Sequence, residues 1–154
     1  MMPRGIATDT DRVLMKAALR EAQFGYEEGG VPVGAVIAEG ERLLAAGRNR
    51  RVQDNNPIAH AETDCLRQLG RRRNYKGLTL YTTLSPCTMC AATVVHFRIT
   101  RVVVGEAGSF EGNMELMERA GVDVVLLHDP GCIALTDMFV RENAALWNED
   151  GRQD

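Results

Sequence analysis

The sequence predicts an α/β fold built on a mixed sheet, and three observations carry that reading. Short β-branched strands alternate with helical stretches from Leu78 onward, two apolar strand segments joined by Glu39-Gly40 precede them, and no repeat, low-complexity tract or linker rich in Pro, Gly or Ser divides the chain. Strand-helix alternation implies parallel pairing with crossover helices on the sheet faces, and the early pair implies an antiparallel hairpin at the start.

Residues 1–8 are expected to form a frayed tail. From Asp9 to Glu28, Val13, Leu14, Ala17, Ala18, Ala22 and Gly25 recur at three- and four-residue spacing, an amphipathic helix with Thr8, Asp9 or Thr10 as N-cap and Gly29-Gly30 as its stop. Val31–Ala38 and the segment Leu43–Gly47 read as the hairpin. Arg50–Ile58 is polar and ends in Asn55-Asn56-Pro57, a loop that delivers His60 to a helix reaching Leu69, with Gly70 as C-cap. Leu78–Leu84 reads as a buried strand, after which Ser85-Pro86 opens a helix through Cys87, Cys90 and Val94 to about Phe97. A strand at Arg101–Gly105, a helix at Met114–Ala120 closed by Gly121, a strand at Asp123–Leu127, a helix at Cys132–Val140 and a last helix at Arg141–Trp147 complete the order.

The 154 residues suit one domain, 1–154, with a core that needs no disulfide. No apolar run approaches the ~18 residues a membrane span takes. The start, Met1-Met2-Pro3-Arg4-Gly5, lacks a signal-peptide core, so a cytoplasmic location and no membrane partner are expected. A net charge of -3 is the wrong sign for a long polyanionic partner, which points to a small substrate and no nucleic acid. Two basic clusters, Arg48, Arg50 and Arg51, then Arg67, Arg71, Arg72, Arg73 and Lys76, read as a solvated loop and helix end. Cys65 and Cys132 read as buried, inert thiols, and His96 and His128 as surface or packing residues.

The chemistry concentrates in His60-Ala61-Glu62 and Ser85-Pro86-Cys87-Thr88-Met89-Cys90. One His and two Cys leave a tetrahedral zinc one ligand short, the mark of a catalytic site. Cys87 and Cys90 lie three apart near a helix start, where they can converge on one ion and where unpaired backbone N–H groups favour the thiolate. His60 and Glu62, two apart, must straddle a helix start to face one centre. Zinc lowers the pKa of a bound water to ~7, and Glu62 is placed to take that water's proton, pass it to a ring nitrogen and deliver one to a departing amine. H-x-E followed by P-C-x-x-C is the pattern of zinc deaminases.

Beyond that pattern the chain resembles the cytidine deaminase superfamily, and within it the fungal type of cytosine deaminase. The likeness rests on Gly25-Tyr26-Glu27-Glu28-Gly29-Gly30-Val31-Pro32-Val33-Gly34, on Leu80-Tyr81-Thr82-Thr83-Leu84-Ser85-Pro86-Cys87 and on Val103-Val104-Gly105-Glu106. The resemblance implies a three-layer α/β/α fold with a mixed five-stranded sheet, one Zn2+ per chain and a homodimer. It implies that Glu62 is the catalytic proton carrier, that His60, Cys87 and Cys90 hold the metal, and that Asn49, Phe110, Trp147 and Asp150 bind the pyrimidine. Val33 and Leu84 match wall positions, the Ser85 carbonyl and Cys87 N–H match backbone contacts to the base, and residues 141–154 match a pocket-closing segment. The Asn49 carboxamide can both donate and accept, and Asp150 can accept from the exocyclic amine.

One departure is Ala61, where the fungal enzymes carry Gly and the tRNA adenosine and guanine deaminase branches carry Ala. The leading expectation is hydrolysis of free cytosine to uracil and ammonia, as in pyrimidine salvage. The alternatives are another small aminated base such as guanine or a cytosine analogue, an adenosine in tRNA, or a zinc-stabilised binding module with no activity.

Overall fold

The computed structural model describes residues 4–150. Along the chain come α1 (Asp9–Glu27), β1 (Gly34–Glu39), β2 (Arg42–Arg48), α2 (Ala61–Leu69), β3 (Thr79–Leu84), α3 (Thr88–Phe97), β4 (Arg101–Glu106), α4 (Met114–Arg119), β5 (Asp123–Leu126), α5 (Pro130–Glu142) and α6 (Ala144–Asn148). The strands form one five-stranded sheet in the order β2-β1-β3-β4-β5. β1 runs antiparallel to β2 and β3, whereas β3, β4 and β5 are parallel. β1 starts at Gly34, later than the sequence suggests, because Pro32 has no N–H for a ladder and the Val33 amide bonds back to the Val31 carbonyl at 2.9 Å.

The two-residue period of the strands sorts their side chains into two cores. Val36, Ala38, Tyr81, Val103 and Val125 pack with Leu14, Met15 and Ala18 of α1 and Cys132 of α5. Ala35, Ile37, Leu80, Val102, Val104 and Val124 face the other way, onto Ala61 and Cys65 of α2, Ala91 and Val94 of α3 and Met117 of α4. Helices therefore cover both faces. The contact of α2 with β2 depends on Gly47, where a Cβ would run into the Cys65 backbone. Asp64 fastens the same pair by accepting the Arg48 N–H at 3.0 Å.

Three expectations need correction. Residues 4–8 of the anticipated tail are tied down. The Gly5 N–H donates to the Val124 carbonyl at 2.9 Å, and Thr8 caps α1 in a reciprocal box with Asp11; residues 1–3 lie outside the described part. The cluster Arg48, Arg50, Arg51 is not simply solvated. Arg48 pairs with Glu21 and Glu28, and Arg51 is buried against the C-terminal segment. The C-terminal helices are also redistributed, α5 running from Pro130 to Glu142 behind an Asp129 cap and α6 from Ala144 to Asn148.

Asp11 illustrates how α1 is held to the sheet. It is 1% exposed and accepts from both ends of the Arg101 guanidinium at 2.7 Å, from Tyr81 Oη at 3.0 Å and from the Thr8 amide at 2.9 Å. Burial pushes its carboxyl up, but the Arg101, Thr8 and Tyr81 donors outweigh burial and hold it at about 2. A depressed carboxylate contributes stability above its unfolded pKa of ~3.9, and that contribution is lost as pH falls towards the folded value. Asp11→Asn is therefore expected to cost about 2 kcal/mol at pH 7, a drop of roughly 4–8 °C in Tm, and about half as much at pH 3 in the same calorimetric series.

Candidate active site

The topology brings five segments to one edge of the sheet. Antiparallel β1 begins where parallel β3 ends, with Ala35 opposite Thr82, and β2 ends at Arg48 opposite Gly34. Leu84 at the end of β3 pairs with Glu106 at the end of β4. Val33, Asn49, Leu84-Ser85 and the loop after Glu106 therefore surround one point, where His60 and Cys87 also arrive at the starts of α2 and α3. Ligand sites outside the carboxyl ends of parallel strands follow from this kind of chain arrangement.

Both metal-ligand segments use a helix start. His60 is the extended N-cap of α2, so its side chain is free of the helical direction followed by Glu62, the geometry anticipated for the pair. Thr63 secures that cap, accepting the His60 N–H at 3.0 Å and donating to the Ile58 carbonyl at 2.7 Å. Cys87 likewise stands at the N-cap, and α3 begins only at Thr88, later than expected. Pro86 and the extended Cys87 backbone place one sulfur ahead of the helix and the Cys90 sulfur within its first turn.

The His60, Cys87 and Cys90 ligand atoms all lie within 4.8 Å of one another, and among the described residues no fourth His, Cys or carboxylate joins the cluster. His60 Nδ1 is 3.5 Å from Cys87 Sγ and 3.6 Å from Cys90 Sγ. Zn–S bonds of ~2.3 Å and Zn–N bonds of ~2.0–2.1 Å at the tetrahedral angle put ligand atoms about 3.5 Å apart, so this donor set fits zinc. The Cys90 thiol and, against burial, the His60 ring and the Cys90 amide hold Cys87 at about 4, while the same partnership and burial drive Cys90 upward. Burial opposes charge on His60, but the Cys87 sulfur, Glu62 and Asp150 outweigh it and raise its pKa.

Val33, Asn49, His60, Glu62, Leu84, Ser85, Cys87 and Phe110 line one tight recess of about 10 Å³. Glu62 is 4% exposed, and burial lifts its carboxyl to about 7, partly offset by His60 and by its own backbone amide at the head of α2. Asn49 is buried, and its carboxamide oxygen accepts the Arg51 N–H at 3.0 Å. That bond uses one lone pair of the oxygen, which leaves the second lone pair and the NH2 for a ligand, so the side chain can still accept as well as donate. Trp147 is buried, and Asp150 Oδ2 lies 2.9 Å from His60 Nε2, although the ring N–H is not aligned on it as a linear hydrogen bond. Residues 151–154 of the anticipated closing segment lie outside the described part.

Two supports were not foreseen. Glu106, 1% exposed, accepts the Ser109 N–H on its carboxylate at 3.0 Å and the Ser85 N–H on its carbonyl at 2.9 Å, so the Phe110 loop and the Ser85 wall share one anchor. Gly112, at φ +63, lets that loop pass against the Pro86 carbonyl, where a side chain has no room. The remaining thiols, Cys65 and Cys132, are buried, and burial raises the pKa of each well beyond the ordinary thiol range. His96 and His128 are exposed and outside the cluster. No helix among the described residues is long and apolar enough to cross a membrane.

Comparison with known proteins agrees with this geometry. The chain is 40% identical to a cytosine deaminase of Candida albicans over 93% of its own length and 97% of that protein's. It is 35% identical to a tRNA-specific adenosine deaminase of Rickettsia bellii over 86% of its length and 93% of that protein's. A solved structure in complex with 2,6-diaminopurine superposes with a TM-score of 0.78 at 23% identity, covering 96% of this chain and 89% of that one, a likeness of fold. Residues 8–106 match the cytidine and deoxycytidylate deaminase zinc-binding region, and with the His60, Cys87 and Cys90 cluster in place the chain belongs to this family of zinc-dependent hydrolytic deaminases.

Proposed function

We propose that this protein deaminates free cytosine, adding water at C4 and releasing ammonia to leave uracil. The observation that carries the reading is the Asn49 carboxamide: with its oxygen engaged by the Arg51 N–H, it leaves an NH2 donor for the carbonyl of a pyrimidine in the recess that Glu62 also lines. The near-full-length likeness to a cytosine deaminase supports the same choice.

His60, Cys87 and Cys90 are the residues to hold the zinc, which when bound supplies a Lewis acid that makes water a nucleophile at neutral pH. Glu62, buried in the recess, is the carboxylate placed to accept a proton and to return it. It takes one from the attacking water and gives it to the ring nitrogen beside C4, then takes the second from the new C4 hydroxyl and passes it to the amine, so that the C4–N bond breaks as the C4 carbonyl forms. Val33, Leu84 and Phe110 give the flat ring apolar walls, Ser85 offers its carbonyl, and Asp150 offers a carboxylate to the exocyclic amine. Trp147 and the rest of residues 141–150 close the pocket, which excludes a polynucleotide. We read residues 1–154 as a single deaminase domain acting as a cytoplasmic homodimer, for which sedimentation should give a particle of two chains.

The test is ammonia release by the zinc-loaded protein from cytosine, guanine, adenine, cytidine and a tRNA anticodon stem-loop. Cytosine turnover with little on cytidine is expected. Turnover of another base only would discard the Asn49 assignment, and turnover of the stem-loop would discard the closed pocket. Asn49→Asp, which exchanges the donor for an acceptor, is expected to raise KM for cytosine about 10- to 100-fold with kcat much less affected.

A further inference from the structure

We infer that Arg51 is a positioning residue that latches the C-terminal segment to the loop bearing Asn49, so that reading the base and closing the pocket are one arrangement. The inference rests on the cytosine reading only for its kinetic consequence.

Arg51 follows β2 by three residues and Asn49 by two. Its backbone N–H holds the Asn49 carboxamide oxygen, while its guanidinium donates to the Leu146 carbonyl at 2.7 Å and to the Glu149 carboxylate. The residue is 7% exposed. A buried guanidinium is costly unless paired, and Nε finds no acceptor among the described residues. The Glu149 side chain is 58% exposed, so that ion pair is well screened and the Leu146 carbonyl is the firmer hold.

The segment needs such a hold. α6 has five residues, too short to persist by itself, and Leu146 lies among the last carbonyls of a helix, which lack intrahelical donors. Leu146 and Glu149 bracket Trp147 and lead directly to Asp150, whose carboxylate is 2.9 Å from His60 Nε2. One side chain thus fixes the cover over the recess, and its own amide fixes the orientation of the Asn49 carboxamide. Cytosine entry and uracil departure require this segment to lift, so the latch sets how tightly the base is retained rather than how fast bonds break.

The test uses Arg51→Met, which keeps the apolar stem and removes the fork, and Arg51→Lys, which keeps the charge. For Arg51→Met, amide hydrogen exchange at residues 144–150 of the free protein should quicken by about tenfold or more, and KM for cytosine should rise by about tenfold with kcat within about threefold. Arg51→Lys should fall between wild type and Arg51→Met, and Glu149→Gln should change KM by less than about threefold, since the Leu146 bond persists. Unchanged exchange at 144–150, or a fall in kcat at constant KM, would overturn the latch. Should Arg51→Met not fold, the same two measurements on Arg51→Lys decide the matter. If the wild-type protein turns over no cytosine, the substrate reading fails while the exchange result still judges the latch.

Discussion

Glu62→Ala is expected to retain one zinc per chain and to lose turnover by about a thousandfold or more, the scale of a removed general acid–base. The zinc should stay because the three ligand atoms belong to His60, Cys87 and Cys90, and Glu62 is not among them. The turnover should fall because, among the described residues, Glu62 is the acidic side chain that lines the recess with His60 and Cys87. Glu62→Gln should be as inactive while keeping the shape of the site. Metal content by elemental analysis and ammonia release measured on the same preparations check both halves. Full activity in either variant would remove Glu62 from the mechanism, and loss of zinc with loss of activity would make it a structural support.

The metal site was legible because its information is local. His60 and Glu62 are two positions apart and Cys87 and Cys90 three, and Pro57 and Pro86 announce the helix starts on which those side chains stand. The strands were legible for a similar reason, since β-branched runs between turn residues fix their own period. What escaped depends on partners far away in sequence. Arg51 looks like any basic loop residue until Leu146 and Glu149 fold back on it, and Asp11 looks like a capping residue until Arg101 arrives from β4. The frayed tail failed because an edge strand, β5, offers the Val124 carbonyl to Gly5, a pairing that no pattern in residues 4–8 announces. The position of Arg51 two residues after Asn49 was the one available hint, and it carries meaning only once the Asn49 oxygen is known to accept the Arg51 N–H.

Withdrawing the zinc should abolish turnover and yet leave the chain folded, the outcome that separates a catalytic centre from a zinc-stabilised binding module. A module whose core is organised by metal unfolds on chelation. Here the two sheet faces are filled by independent apolar cores, Leu14, Met15, Tyr81 and Val103 on one side and Ile37, Leu80, Val94, Val102 and Met117 on the other, none of which needs the ion. The cluster also has three ligands among the described residues, one fewer than a closed structural site. Zinc binding still stabilises by mass action: free metal at ~1,000 times its Kd adds about 4 kcal/mol. For a chain of this size that corresponds to a fall of roughly 10 °C in Tm on chelation, with the cooperative transition retained. Dialysis against a chelator, followed by circular dichroism, calorimetry and ammonia release, reads all three quantities, and added Zn2+ should restore activity because the folded chain keeps the His60, Cys87 and Cys90 ligand atoms together. Unfolding on chelation would instead assign His60, Cys87 and Cys90 to the architecture and leave the recess without its chemistry.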